Sequence, residues 1–198
     1  DKSYVKYSYE ILEVLGLTKY VVFMDEEHVY RAERLIWSSN HATFNNHAYH
    51  KVVDLLIKRS IETSTSAIHV PNRKIYLSRE HIDVSAPDQP HPKRWIVNQK
   101  EATEVILGKG YTKVRVDNMH IRDQIATIHS ADKIVSFIGA NCDNIAFANK
   151  KGSFSIIYAE NQRWWVEWWK SAPNCRTIKC LSSIKNEYTG FSETASWH

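Results

Sequence analysis

Gly139 and Ala140 lie where the stretch DKIVSFIGANCDNIAF, Asp132 to Phe147, changes character. Before them, Ile134 to Ile138 is a short apolar run that reads as a buried strand; after them, Asn141 stands in position to cap a helix from Cys142 to Ala148. A strand, a glycine turn and a helix N-terminus together present unpaired N–H groups and the positive end of a helix dipole, which is chemistry for holding an anion. A glycine is equally expected wherever such a turn needs positive φ, so this feature alone leaves both readings open. Arg79 ends the run KIYLSR, where its guanidinium could clamp a phosphate or carboxylate through two parallel hydrogen bonds or make a surface ion pair. Arg94 precedes a helix opened by Asn98, and two arginines converging on the sheet edge that carries Gly139 would make a diphosphate site. Glu101 could accept from ribose hydroxyls, although its spacing from Asn98 is already that of a capping box.

Other clusters carry less. His41, His47 and His50 crowd one polar segment, a composition that suits a zinc site, a general base near neutral pH or solvated loop side chains; the spacing is poor for metal. Trp164, Trp165, Trp168 and Trp169 form pairs four apart on one helical face, which could stack on a sugar or base, or simply be core or an interface. Gly139 is followed by no Gly-Lys-Ser/Thr, and there is no GxGxxG, so the P-loop and dinucleotide-fold signatures are both missing.

The elements that must position these residues follow a regular order beyond Pro71. KIYLSR reads as a strand, SAPDQPHPKR as a Pro-rich loop, and the stretch from Asn98 as a helix burying Ala102, Val105, Ile106 and Leu107 and ending at Gly108 and Gly110. TKVRVD alternates as a strand, IRDQIATIHSA repeats isoleucine at helical spacing, and FSIIY, the Trp run and RTIKCL add strand, helix and strand before a polar tail. Five strands alternating with four helices predict a parallel, doubly wound α/β sheet of Rossmann-like type with helices on both faces and ligands at the carboxyl ends of the strands. Residues 1 to 70 are less regular. A short helix in YEILEVLGL is expected to stop near Gly16, a strand to follow at Tyr20 to Met24, SSNHATFNNHAYH to be loop, and Tyr49 to Ile61 to be a helix with Val52, Val53, Leu56 and Ile57 inward. The small polar stretch ETSTSAIHVPNR reads as a boundary, giving domains 1–70 and 71–198.

Bulk properties set the limits. The 198 residues suffice for one good core but are short for two complete Rossmann-like halves, and Asp1 in place of Met suggests a processed or excised piece. A net charge of +4 from 26 basic and 22 acidic residues is too mild to argue for nucleic acid and suits an anionic small ligand. Cys142, Cys175 and Cys180 lack metal-ligand spacing and are odd in number, which reads as reduced thiols in a non-oxidising compartment, without a disulfide framework. No apolar run reaches membrane-helix length, so any association with the cytoplasmic membrane face would come through parts outside this chain.

Taken in order, KIYLSR, RWIVNQKE, GYTKV, DQIATIHSADKIVSFIGANCDNIAF and the Trp-rich tail resemble the family 61 glycosyltransferases over about residues 10 to 181. The resemblance rests on that family's Leu-Ser-Arg, Arg with Asn-Glu-x-Glu, Gly-aromatic, Gln-Ile and His-Gly-Ala with a later Asn and Phe. It implies one half of a GT-B fold: a C-terminal domain, 71–198, that binds a nucleotide sugar, and 1–70 as the end of an acceptor-side domain. It further implies inverting, metal-independent transfer to a glycan or protein hydroxyl, with no cofactor. Carried over position by position, Ser78, Arg79, Arg94, Asn98, Glu101, Gln124, Gly139, Ala140, Asn144 and Phe147 match the pattern. Gln99 replaces the first Glu, and Ile138 replaces the His before the glycine, removing an imidazole that could donate to a leaving group. Asp143 puts a negative charge at the expected anion-binding helix start. His47, in the polar loop near the domain border, is the candidate base. The rival expectations are a module that binds a sugar nucleotide or glycan without transferring it, and a scaffold in which the tryptophan face is a protein interface.

Overall fold

A computed structural model describes residues 2–22, 29, 31, 47–68, 70, 72–78, 95–96, 99–158, 163–170, 172, 179–180 and 194–195. Its core is a five-stranded, all-parallel sheet built from β1 (Lys74–Leu77), β3 (Thr112–Val114), β4 (Lys133–Phe137), β5 (Ser153–Tyr158) and β6 (Lys179–Cys180), in the order β3-β1-β4-β5-β6. The parallel α/β sheet read from the sequence is therefore present. Side chains alternate across it as a pleated strand requires. Ile75 and Leu77 of β1 enter the main core with Val114, Ile128, Ile134, Phe154 and Ile156. Tyr76 points the other way, onto Ala102 and Ile106 of α3 (Gln99–Gly108) and Val135 and Phe137 of β4. The Tyr76 and Phe137 rings meet edge to face at 5.8 Å. α3 thus covers one face, while α4 (Ile121–Ser130) and the residues Val166 and Trp169 of α5 (Arg163–Lys170) cover the other.

α1 (Lys2–Val14) and α2 (His47–Thr63) form a further layer on α4, where Val53, Leu56 and Ile57 bury against Ile121 and Ile125 with Tyr7, Ile11 and Val14 packed alongside. α1 ends in a Schellman arrangement: Gly16 at φ +68 donates to the Glu13 carbonyl and Leu17 to that of Leu12. The segment after α2 is stitched down α4. One Asp123 oxygen accepts from Ser64 Oγ at 2.7 Å and from the Thr65 and Ser66 amides at 3.0 and 3.1 Å; below it, Ile68 N donates to Thr127 Oγ1 and Arg73 Nε to the Ser130 carbonyl.

Several expectations need correction; Val52, Val105 and Leu107, expected to face inward, are 46 %, 45 % and 37 % exposed. The helix expected over Cys142 to Ala148 with Asn141 as cap is a 3-10 helix, Ala140–Phe147, whose N-cap is Gly139 without any side-chain cap. At three residues per turn Cys142, Ile145 and Ala148 fall on one side, and all three are buried, as the tighter helix allows. The strand expected from Tyr20 is instead the end of a 3-10 turn, Thr18–Tyr20, and Tyr20 and Val22 are exposed; Phe23 and Met24 lie outside the described residues. The polar tail holds a short strand, β7 (Thr194–Ala195), pairing in parallel with β2 (Trp95–Ile96). The Pro-rich loop and the run Leu35 to Trp37 lie outside the described residues, and α2 begins at His47, two residues before the expected Tyr49.

Candidate functional site

The order of the strands marks a switch point in the winding of the sheet. β1 is followed along the chain by β3 on one side of it and then by β4 on the other, so the winding direction reverses between β1 and β4. In open α/β sheets ligands bind outside the carboxyl ends of the strands at such a reversal, because the two connections diverge and leave a gap. The last aligned pair is Leu77 with Ser136, and the residues that run on past it are Ser78 from β1 and Ile138 and Gly139 from β4.

Ser78 is 1 % exposed, with its amide donating to the Val114 carbonyl, so β1 stays in register beyond its last assigned residue. Ile138 donates to the Ile157 carbonyl and packs into the main core. Gly139 then adopts φ 147, ψ −169, a conformation that belongs almost exclusively to glycine, and its carbonyl accepts from Cys142 N at 2.8 Å to open the 3-10 helix. Ala140 is exposed at the rim. Asn141 Nδ2 donates to the Ser78 carbonyl at 3.4 Å, joining the end of β1 to the turn after β4. The sequence reading gave Asn141 a capping role and missed this cross-strand bond; nothing in its spacing from Ser78 signals it.

Gln124 and Asn144 are brought together. Gln124 Nε2 donates to Asn144 Oδ1 at 2.5 Å, and both side chains are buried. Glu101 lies exposed in the first turn of α3. His47 is the first residue of α2, and two residues on Tyr49 packs against the main core, its ring edge-on to His50. Arg79, Arg94 and Asn98 lie outside the described residues, as do the side chains of His47, Trp164, Trp165 and Trp168.

Two carboxyl environments decide where an anion could sit. The N-terminus of α4 is already closed: Glu10 of α1 accepts from the Ile121 amide at 2.8 Å, His120 caps the Arg122 amide, and Glu13 reaches the other His120 nitrogen. With a carboxylate already on its first amide, the start of α4 is a poor place for a second anion. Asp143, on the 3-10 helix, has its pKa raised by desolvation, an effect the indole N–H of Trp169 opposes by donating to it at 2.9 Å. Its side chain is thus tied towards α5. Tyr49 is raised too, by burial first and by the Asp143 charge second. Among the described residues no group of three His, Cys, Asp or Glu is placed to hold a metal ion.

The sequence model of the family Glycosyltransferase 61 matches residues 8–155. The chain belongs to this family. The matched region runs from α1 into β5, so the family 61 unit includes the α1–α2 layer and the β1/β4 switch point, and the Trp-rich helix follows it. No curated protein matches the chain. Family membership makes the chain a glycosyltransferase domain, with a sugar donor and an acceptor as its substrates. No helix of the described residues is long and apolar enough to cross a membrane.

Proposed function

We propose that this family 61 domain binds a nucleotide sugar at the β1/β4 edge and transfers the sugar, with inversion, to a hydroxyl of a glycan or protein. The observation that carries the reading is the Gly139 turn at the sheet's winding reversal, tied to Ser78 by Asn141. In this reading Arg79 and Arg94 neutralise the diphosphate, Asn98 and Glu101 meet the ribose, and the Gly139 and Ala140 backbone approaches the phosphates closely. The acceptor oxygen attacks the anomeric carbon as the bond from that carbon to the diphosphate oxygen breaks. The proton passes to a base, for which His47 is the candidate, and the nucleoside diphosphate leaves with the bonding pair. Residues 71–198 would be the donor-binding domain of a GT-B arrangement and 1–70 the end of the acceptor side, working in the cytoplasm or at the cytoplasmic membrane face.

A binding module without transfer is the second reading, and Ile138 favours it. Its side chain belongs to the apolar core, so the position that carries His in the family pattern offers no proton here. Titrating UDP-, GDP- and CMP-sugars by calorimetry, followed by a hydrolysis and transfer assay on whichever binds, separates the two. Binding with turnover supports the transferase, binding without turnover the module, and no binding contradicts both. With two arginines assigned to the diphosphate charge, donor affinity is expected to be the same in chelator as in millimolar magnesium. A loss of affinity in chelator would show that a metal shares that charge.

A further inference from the structure

Three hydrogen bonds run in series from α4 through the 3-10 helix to the end of β1. Asn144 Nδ2 donates to the Asn141 carbonyl at 3.1 Å, which turns Asn144 Oδ1 away from the 3-10 helix axis and towards α4. There Gln124 Nε2 donates to it. At the other end Asn141 Nδ2 donates to the Ser78 carbonyl. The donation to the Asn141 carbonyl fixes which way the Asn144 amide faces, and that in turn fixes Gln124 as the donor. Gln124 Oε1 is then left buried with no donor among the described residues. An unpaired buried acceptor is destabilising, a cost that accompanies the bond Gln124 makes to Asn144. Gln124 and Asn144 are 7 % and 4 % exposed, too enclosed to be the surface a diphosphate rests on.

We infer that Gln124 and Asn144 are positioning residues: their amides, acting through Asn141, lock the turn after Gly139 against the end of β1 and so set the spacing at the β1/β4 edge. The inference deepens the donor-binding reading, on which it rests for what the turn positions. The lock itself is independent of any ligand.

Gln124→Met keeps the length of the side chain and removes both the donor and the orphaned acceptor. Its thermal midpoint is expected to fall only modestly, since Asn144 Oδ1 loses its donor as the cost of the orphaned Gln124 Oε1 is removed. Amide protection factors over residues 139–147 are nonetheless expected to fall by about tenfold, and the affinity for whichever UDP-, GDP- or CMP-sugar binds the wild type by a similar factor. Gln124→Glu supplies a signature that loss of packing cannot. A neutral acid can donate to Asn144 Oδ1 and a carboxylate cannot, so protection of 139–147 should return as pH falls through the titration of Glu at 124, and Gln124→Met should show no such return. Unchanged protection in Gln124→Met, or a Gln124→Glu profile as flat as that of Gln124→Met, overturns the lock. If no sugar nucleotide binds the wild-type chain, the donor reading fails while the exchange data still decide the lock.

Discussion

Gly139→Val should both destabilise the fold and silence donor binding. Gly139 sits at φ 147, ψ −169, where a β-branched side chain meets its own backbone, and forcing a non-glycine residue into such a region costs about 1–3 kcal/mol. Relief would come from rotating the peptide, but Ile138 is held by its bond to Ile157 on one side and Cys142 N by the Gly139 carbonyl on the other. A rotated turn moves Asn141 away from Ser78 and closes the approach of the backbone to a phosphate. A loss of binding of 1.4 kcal/mol or more, tenfold in Kd, is therefore expected at about 25 °C. Thermal melts and calorimetry on the same preparation check both parts. A variant with wild-type stability and wild-type donor affinity would mean that neither the conformation nor the place of the site is right.

Asp123→Ala is expected to lower stability by about 3 kcal/mol, since it strips the acceptor from one hydroxyl and two backbone amides in a partly buried setting. The pH dependence follows from the same bonds. Burial acts to raise the carboxyl pKa, but donation from Ser64, Ser66 and Thr65, with Arg122 nearby, outweighs it and leaves the folded value below that of a free aspartate. A depressed folded pKa gives stability that is fully present above the unfolded value of about 4 and is lost as pH falls through the folded value. Urea melts of the wild type should thus weaken below about pH 4 through this group, and Asp123→Asn, which keeps an acceptor but not the charge, should lack that component. An Asp123→Ala midpoint close to wild type at pH 7 would show that the segment after α2 is held by other means.

The sheet was legible because parallel strands buried on both faces leave continuous apolar runs, as in KIYL and KIVSF, broken by helical spacing in IRDQIATIHS. The start of the tight helix after Gly139 was legible from the glycine, but its type was not: an apolar residue every third position over so short a run is compatible with either helix until Cys142 and Ile145 are seen buried together. The stretch ETSTSAIHVPNR shows the opposite error of weight. Its small polar residues look like linker composition, yet Ser64, Thr65 and Ser66 are donors to one aspartate 57 to 59 positions away. No local pattern encodes a partner at that separation. The same holds for Glu10, which closes the start of α4 from 111 residues earlier, and for Asn141, whose acceptor lies on a different strand. Side chains that satisfy backbone groups on another element are chosen by the fold, and the sequence shows only that they are polar.

The proposed donor site at the β1/β4 edge is tested most directly by the donor affinity of Arg79→Ala, since Arg79 directly follows Ser78 in the sequence. Calorimetry with the nucleotide sugar that binds the wild-type chain should show a loss of about 1.5–3 kcal/mol, the scale of a charge-assisted hydrogen bond, with the melting midpoint unchanged. Arg79→Lys should recover part of it, because lysine keeps the charge but not the planar fork. Wild-type affinity in Arg79→Ala, with Gly139→Val equally silent, would contradict the account and put the donor at another edge of the sheet.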